Sequence, residues 1–332
     1  MILSVSAIIP VHNGARDLVR CLKALQSSRA PVQECIVVDD GSTDDSAAVA
    51  RLAGATVLST GRRVGPAAAR NLGARAASGD LLFFTDADVT VHADTIEQLV
   101  DSLRNSTGAV AVIGSYDDAP AGEGFVSQYK NLQHHYVHQN SPMEAETFWS
   151  GCGMIRRDVF LEAGGFDESF SQPSIEDIEL GYRLRAAKRR IILDKRAQVK
   201  HHKRWTFRSL LKTDILQRGI PWTVLSLRNR HLPNQLNVSS DQRVCVALIW
   251  VAAAISPMAL ALPSPTAAFS AVLLVCAVLA WNAPFYRFLR RKRGAWFAVR
   301  AAAMHVIYFF YCGLAFLGGV WRCWAEARTK NP

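Results

Sequence analysis

Two carboxylates one residue apart, Asp86 and Asp88, follow directly on the apolar run Leu81–Thr85. At a strand end both can reach one hard cation, and a diphosphate would complete its shell. The same triplet could also be an acidic turn that caps the strand. Arg70 stands on the stretch leading to this strand, which Gly65-Pro66 opens as a helix. Its guanidinium suits either a diphosphate or a plain surface ion pair. Glu176 and Asp177 open a further helical stretch, residues 178–187, where both acids complement the helix dipole. His134 and His138 share a helix face at i and i+4, a metal-binding spacing. With no third ligand near them, a surface or acceptor-facing role is preferred.

The elements that must hold these residues alternate from the start. Residues 6–10, Glu34–Asp39, 56–58 and 80–85 read as strands, while 17–26, 47–52 and 66–77 have helical periodicity. This order predicts an α/β domain with a mostly parallel, Rossmann-like sheet and helices on both faces. In such sheets ligands sit beyond the carboxyl ends of the strands. His12-Asn13, Asp39-Asp40-Gly41-Ser42 and Asp86-Ala87-Asp88 each fall in that place.

The net charge of +10 over 332 residues conceals an asymmetry. Residues 1–182 carry 13 bases and 24 acids; residues 183–332 carry 25 bases and 4 acids. A basic half interleaved with apolar runs points to anionic lipid headgroups rather than nucleic acid, for which no finger spacing or RNA signature is present. The seven scattered cysteines form no C-x-x-C pair and read as reduced packing residues. No basic segment precedes the first strand, so a cleaved signal peptide is not expected.

Between Arg243 and Arg287 the chain has no Lys, Arg, Asp or Glu. That is room for two helices of about 20 residues, the length a hydrocarbon core needs. Pro263-Ser-Pro265 divides the run, and a third uncharged run lies between Arg300 and Arg322. The expected organisation is therefore a catalytic domain at 1–203, amphipathic interfacial helices at 204–242, spans near 244–262, 266–286 and 301–321, and a tail at 323–332. Residues 205–229 mix apolar and basic positions at helical spacing, with a break near Gly219-Ile-Pro221, as a helix lying in the membrane interface would. Arg287, Arg290, Arg291, Lys292 and Arg293 place the large domain in the cytosol by the positive-inside rule.

Six motifs, in order and spacing over about 200 residues, resemble the family 2 glycosyltransferases, whose fold is GT-A. They are Ile8-Ile-Pro-Val-His-Asn13, Val37-Val-Asp-Asp-Gly-Ser-Thr43, Gly65-Pro-Ala-Ala-Ala-Arg-Asn71, Gly79-Asp-Leu-Leu-Phe-Phe-Thr-Asp-Ala-Asp88, Gly164-Gly-Phe-Asp-Glu168 and Ile175-Glu-Asp-Ile-Glu-Leu-Gly-Tyr-Arg183. The resemblance implies that Pro10, His12, Asp40 and Arg70 contact the nucleotide. It implies that Asp86 faces the ribose or the metal and that Asp88 binds a Mn2+ or Mg2+ ion bridging the diphosphate. Asp177 matches the catalytic base of inverting members, beside Glu176. Trp149-Ser-Gly-Cys-Gly153, with Trp149 and Gly151 toward the acceptor, matches the floor beneath it.

His201-His-Lys-Arg-Trp205 resembles the Q-x-x-R-W signature of membrane-embedded synthases and glycolipid-forming transferases, with His201 where Gln is expected. That departure counts against a processive enzyme. His201 is expected as the third metal ligand, with His202 the alternative, Arg204 near the diphosphate and Trp205 at the acceptor or the bilayer. The implied activity is an inverting, metal-dependent transfer from a nucleotide-diphosphate sugar, a UDP-sugar by family habit, to a lipid or lipid-linked acceptor. The implied location is an integral membrane protein with its catalytic domain in the cytosol, at the inner or plasma membrane if bacterial. A polysaccharide synthase or a non-catalytic membrane scaffold are the alternatives; a nucleotidyltransferase is disfavoured by the lack of a Gly-rich, Lys-containing phosphate loop.

Overall fold

Strand β1 (Val5–Val11) is a near-continuous apolar run buried on both faces, as a central parallel strand must be. The computed structural model describes residues 3–261 and 264–330, which fall into two units, 1–205 and 206–332. Residues 1, 2, 262, 263, 331 and 332, at the edges of the expected domain, first span and tail, lie outside the described residues.

After β1 the N-terminal unit runs α1 (Ala15–Gln26), β2 (Glu34–Asp39), α2 (Ser46–Leu52), β3 (Thr56–Ser59), α3 (Pro66–Ala76), β4 (Leu81–Thr85) and β5 (Val89–Val91). It continues through α4 (Thr95–Asn105), β6 (Ala109–Tyr116), α5 (Phe125–Asn140), β7 (Glu144–Ala145), β8 (Cys152–Arg156), α6 (Arg157–Glu162), α7 (Glu176–Ala186) and β9 (Arg190–His201). Among the described residues the strands form one sheet ordered β3-β2-β1-β4-β8-β6-β9-β5, with β7 on β9. The expected parallel pairing holds from β3 to β4. Beyond β4 the sheet is mixed: β8 runs antiparallel to β4 and β6, and β9 lies parallel to β6 but antiparallel to β5 and β7.

Successive side chains of β1 serve opposite layers. Ala7, Ile9 and Val11 pack with Leu18 and Leu22 of α1 and Ile96 and Leu99 of α4. Ile8, one residue out of phase, joins Ala67 and Ala74 of α3, Leu180 of α7 and the Phe84, Phe148, Phe160 and Phe166 rings. α3 and α7 therefore lie on the same face of the sheet.

The C-terminal unit is helical: α8 (Phe207–Leu211), a π-helical segment (Lys212–Gly219), α9 (Ile220–Arg228), a 3-10 turn (Leu236–Val238), α10 (Ser240–Ala261), α11 (Pro265–Trp281), α12 (Ala283–Arg293) and α13 (Ala295–Lys330). The break expected near Gly219 is a π-helical turn instead. Pro221 sits in the first turn of α9, where a missing N–H is tolerated. Among the described residues one helix, Ala295–Thr329, is long and apolar enough to cross a membrane. α11 and α12 pass the same test together, but are bent by 62° at Asn282, inside the segment expected to span at 266–286.

One glycine decides how closely α3 approaches the chain before α7. Gly65 has φ +102°, and a Cβ there would fall 2.5 Å from the Ser171 carbonyl oxygen. Gly65→Ala should therefore destabilise the N-terminal unit by about 2 kcal/mol or more. In thermal unfolding of the full chain the midpoint should drop by roughly 4–8 °C; an unchanged midpoint would show that the close approach is not needed.

Candidate active site

The parallel register of β1 and β2 pairs Val11 with Asp39, so both strands release their loops at one level. His12 Nδ1–H donates to the Asp40 carbonyl (2.8 Å). Asn13, at φ +53°, accepts from the Thr43 amide (2.7 Å), and its own amide donates to Ser42 Oγ (3.0 Å). Pro10 is one residue inside the ladder, opposite Val38. The Asp40 carboxylate is buried and accepts from the amides of Val64 (2.8 Å) and Gly65 (2.9 Å) and from Thr60 Oγ1 (3.1 Å). It thereby folds the loop that opens α3.

From α3 the Arg70 guanidinium projects into a nest of acids. Its side chain is only 5% exposed, with Nη2 2.6 Å from Asp86 Oδ1 and Nη1 2.9 Å from Glu176 Oε1. Its Cζ lies 5.6 Å from the centre of the Phe166 ring, and Nε has no hydrogen-bond partner among the described residues. Burial acts against the charge, but Asp86, Glu176 and Asp177 outweigh it and push the guanidinium's affinity for its proton further up. Both Nη groups are thus taken by carboxylates at the mouth of β4.

Asp177 lies beside Glu176 in the first turn of α7. Its Oδ2 accepts from both the amide (3.0 Å) and Oγ (3.1 Å) of Ser150. Ser150 adjoins Gly151, whose carbonyl accepts from Thr85 Oγ1 (3.1 Å), the residue before Asp86. A Cβ on Gly151 would meet the Trp149 indole at 2.8 Å, so glycine lets that ring fold back over the turn. Ser150 lies inside the Trp149–Gly153 stretch, but nothing in the sequence assigns it a role of its own; its part emerges through the carboxylate it holds.

Asp88 and His201 meet across the β5–β9 ladder, where Val89 pairs with His201. Asp88 Oδ2 is 3.4 Å from His201 Nε2, and the other ring nitrogen, Nδ1, contacts Asn131 Oδ1 at 3.2 Å. The imidazole is stacked on Tyr116, with centroids 4.9 Å apart. Against the pull of burial, His201 and Lys203 hold the Asp88 carboxyl below the usual carboxylate range. His202 turns elsewhere: its Nε2 hydrogen-bonds Thr90 Oγ1 (3.0 Å). Among the described residues no three His, Cys, Asp or Glu side chains are grouped to hold a metal unaided. Asp88 and His201 form a two-donor pair, while the Asp86 carboxylate is ion-paired with Arg70.

Beyond His201, Arg204 is exposed and Trp205 is buried, with Lys203 Nζ 4.2 Å above the indole. The two histidines at helical spacing on α5 do not face one ion. His134 stacks on Tyr116 and His138 meets the Trp149 ring edge-on at 5.2 Å.

Residues 6–164 match the family model described as glycosyl transferase family 2. The N-terminal unit carries a family 2 glycosyltransferase domain. The chain is 32% identical over 215 residues to the pre-mycofactocin glycosyltransferase of Mycobacterium tuberculosis, a match covering 61% of this chain and 44% of that protein. It thus spans about half the length of several curated relatives that it matches. Similarity to the succinoglycan biosynthesis protein ExoA of Rhizobium meliloti is lower, 27%, but covers 84% of this chain and 93% of that one. In fold, the chain is similar to the mannosyltransferase PcManGT from Pyrobaculum calidifontis, solved with GDP-Man and Mn2+. The TM-score is 0.65 at 20% identity, over 93% of this chain and 88% of that one. The glycosyltransferase domain is thus of GT-A type, with a mixed sheet.

Two outcomes follow for this domain. Arg70→Met would leave Glu176 buried without its cation, and should lower stability in urea by about 3–5 kcal/mol; a loss below about 1 kcal/mol would mean that Glu176 is solvated. Burial, assisted by His135, pushes His138 down to about 4. The folded form then holds His138 neutral while the unfolded chain binds a proton, so stability should fall as pH drops from about 6.5 toward 4. His138→Phe should flatten that limb by about 2 kcal/mol in urea titrations.

Proposed function

We propose that the chain is an inverting, metal-dependent glycosyltransferase. It moves a sugar from a nucleotide-diphosphate sugar to a lipid or lipid-linked acceptor at the cytosolic face of a membrane. The observation that carries this reading is the Arg70 ion pair to both Asp86 and Glu176. One buried cation ties the donor-side acid at the end of β4 to the helix that bears Asp177.

In this reading Pro10, His12 and Asp40 line the nucleotide, with Arg204 at the diphosphate and Trp205 toward the acceptor or the bilayer. Trp149, Gly151 and Glu176 border the acceptor. Asp177 receives the proton of the incoming hydroxyl, its carboxylate being held in place by the Ser150 amide and hydroxyl and by the Ile178 amide (2.8 Å). The alcohol oxygen forms a bond to the anomeric carbon from the face opposite the diphosphate. The bond to the diphosphate oxygen breaks, and the leaving group departs with the electron pair, so the centre inverts.

A carboxylate and an imidazole converging at 3.4 Å fit a divalent ion whose remaining ligands come from the substrate. Asp88 and His201, with Asp86 as the further carboxylate, would hold Mn2+ or Mg2+. When bound, the ion supplies charge neutralisation at the diphosphate.

Membrane attachment is supported by the apolar helix Ala295–Thr329, and the cytosolic side by the run Arg290–Arg293 that ends α12. The GDP-Man bound to the Pyrobaculum calidifontis neighbour adds guanosine to uridine as a base worth testing. The length of the ExoA match favours a second reading, sugar addition to the lipid-linked precursor of a polysaccharide.

The test is release of UDP or GDP from a panel of nucleotide sugars by the detergent-solubilised full chain, supplied with membrane lipid extract and Mn2+. Transfer should be lost with chelator. Asp177→Asn should cut transfer by about 100-fold or more while donor affinity stays within about threefold. Undiminished transfer in that variant would remove Asp177 as the base.

A further inference from the structure

Asn131, in the middle of α5, is a buried polar side chain that no step above uses. Its Nδ2 donates to the Ser127 carbonyl (3.1 Å), an atom that can only accept. That bond fixes which end of the amide is which, so the atom turned toward His201 is the oxygen, Oδ1. An amide oxygen cannot donate, so His201 Nδ1, 3.2 Å away, bears a proton in this contact. Nε2 faces Asp88 Oδ2, 3.4 Å distant, and is the nitrogen whose proton a divalent cation beside Asp88 would displace. The Tyr116 ring, stacked on the imidazole at an interplanar angle of 13°, holds the plane in which both ring nitrogens point.

Ser127 makes the arrangement rigid from the other side. Its hydroxyl accepts from the Trp205 amide (2.7 Å) and contacts the Trp205 carbonyl oxygen (3.3 Å). The first turns of α5 are thereby fastened to the chain that leaves β9 just after His201.

We propose that Asn131 is a positioning residue: through the relay Ser127 carbonyl, Asn131 amide, His201 Nδ1–H, it sets the histidine tautomer that presents Nε2 to a divalent cation beside Asp88. The cation role rests on the metal-dependent reading of the site; the tautomer does not. Partners of this kind, one hydrogen bond behind a metal-bound imidazole, typically alter metal affinity by about 10–100-fold.

The experiment uses the full chain in detergent micelles, with nitrogen-15-labelled histidine and no metal, at about pH 8.5, well above the ordinary histidine value. His201 is assigned by the resonance that disappears in His201→Gln. Two-bond nitrogen–proton correlations should show the proton on Nδ1. In Asn131→Leu the proton should move measurably to Nε2, and in Asn131→Asp, which keeps an acceptor oxygen, it should stay on Nδ1. Mn2+ binding, followed by electron paramagnetic resonance with UDP or GDP present, should weaken by about 10–100-fold in Asn131→Leu and by no more than about threefold in Asn131→Asp. A wild-type His201 protonated on Nε2, or a tautomer indifferent to Asn131→Leu, overturns the relay, and the wild-type spectrum decides this even if Asn131→Leu fails to fold. If the tautomer behaves as stated but His201→Gln leaves Mn2+ affinity unchanged, the metal role of His201 is overturned instead.

Discussion

A guanidinium withdrawn from water has to be answered by opposite charge on more than one side, and the acids that answer it must come from wherever the fold can bring them. For Arg70 they come from the end of β4 and the start of α7, segments 90 residues apart between Asp86 and Glu176. The constraint works in both directions. Without the cation, Asp86, Glu176 and Asp177 would repel one another in a shielded pocket. Without the acids, α3 would be carrying a bare charge into a layer of phenylalanine rings. The aromatic packing of Phe84, Phe160 and Phe166 and the close approach at Gly65 are what let these three elements converge.

Around that pair the domain places two further carboxylates in different surroundings. Asp177 accepts hydrogen bonds from the amide and hydroxyl of Ser150 and from the Ile178 amide, with the Arg70 guanidinium near. Asp88 is flanked by His201 and Lys203, which favour its charged form. Neighbouring acids with different partners can take different tasks, and here the difference is set by which loop each one meets rather than by residue type.

Much of the fold was legible because its signals are local. The apolar runs that become β1, β2 and β4, and the helix starts at Pro66 and Glu176, depend on neighbours in the chain. The mixed pairing beyond β4 was not legible, because β8 meets β4 across 67 to 75 residues, β9 meets β6 across 80 to 83, and nothing in either strand announces direction. Of the site, the acidic clusters could be named by type and position. Their pairings could not: that Arg70 would bind two acids, that Ser150 would hold Asp177, or that His202 would turn to Thr90, follows from side-chain directions in three dimensions. The same holds for Asn131, which resembles any other amide on a polar helix until its neighbours are known.

The Asp40 carboxylate, stitched to the amides of Val64 and Gly65 and the hydroxyl of Thr60, has a bearing on how such a domain can diversify. A side chain that closes the loop at the head of α3 tolerates little exchange, since replacing it would unpair buried amides as well. Variation along this edge is left to the Arg62 and Arg63 side chains, which are exposed.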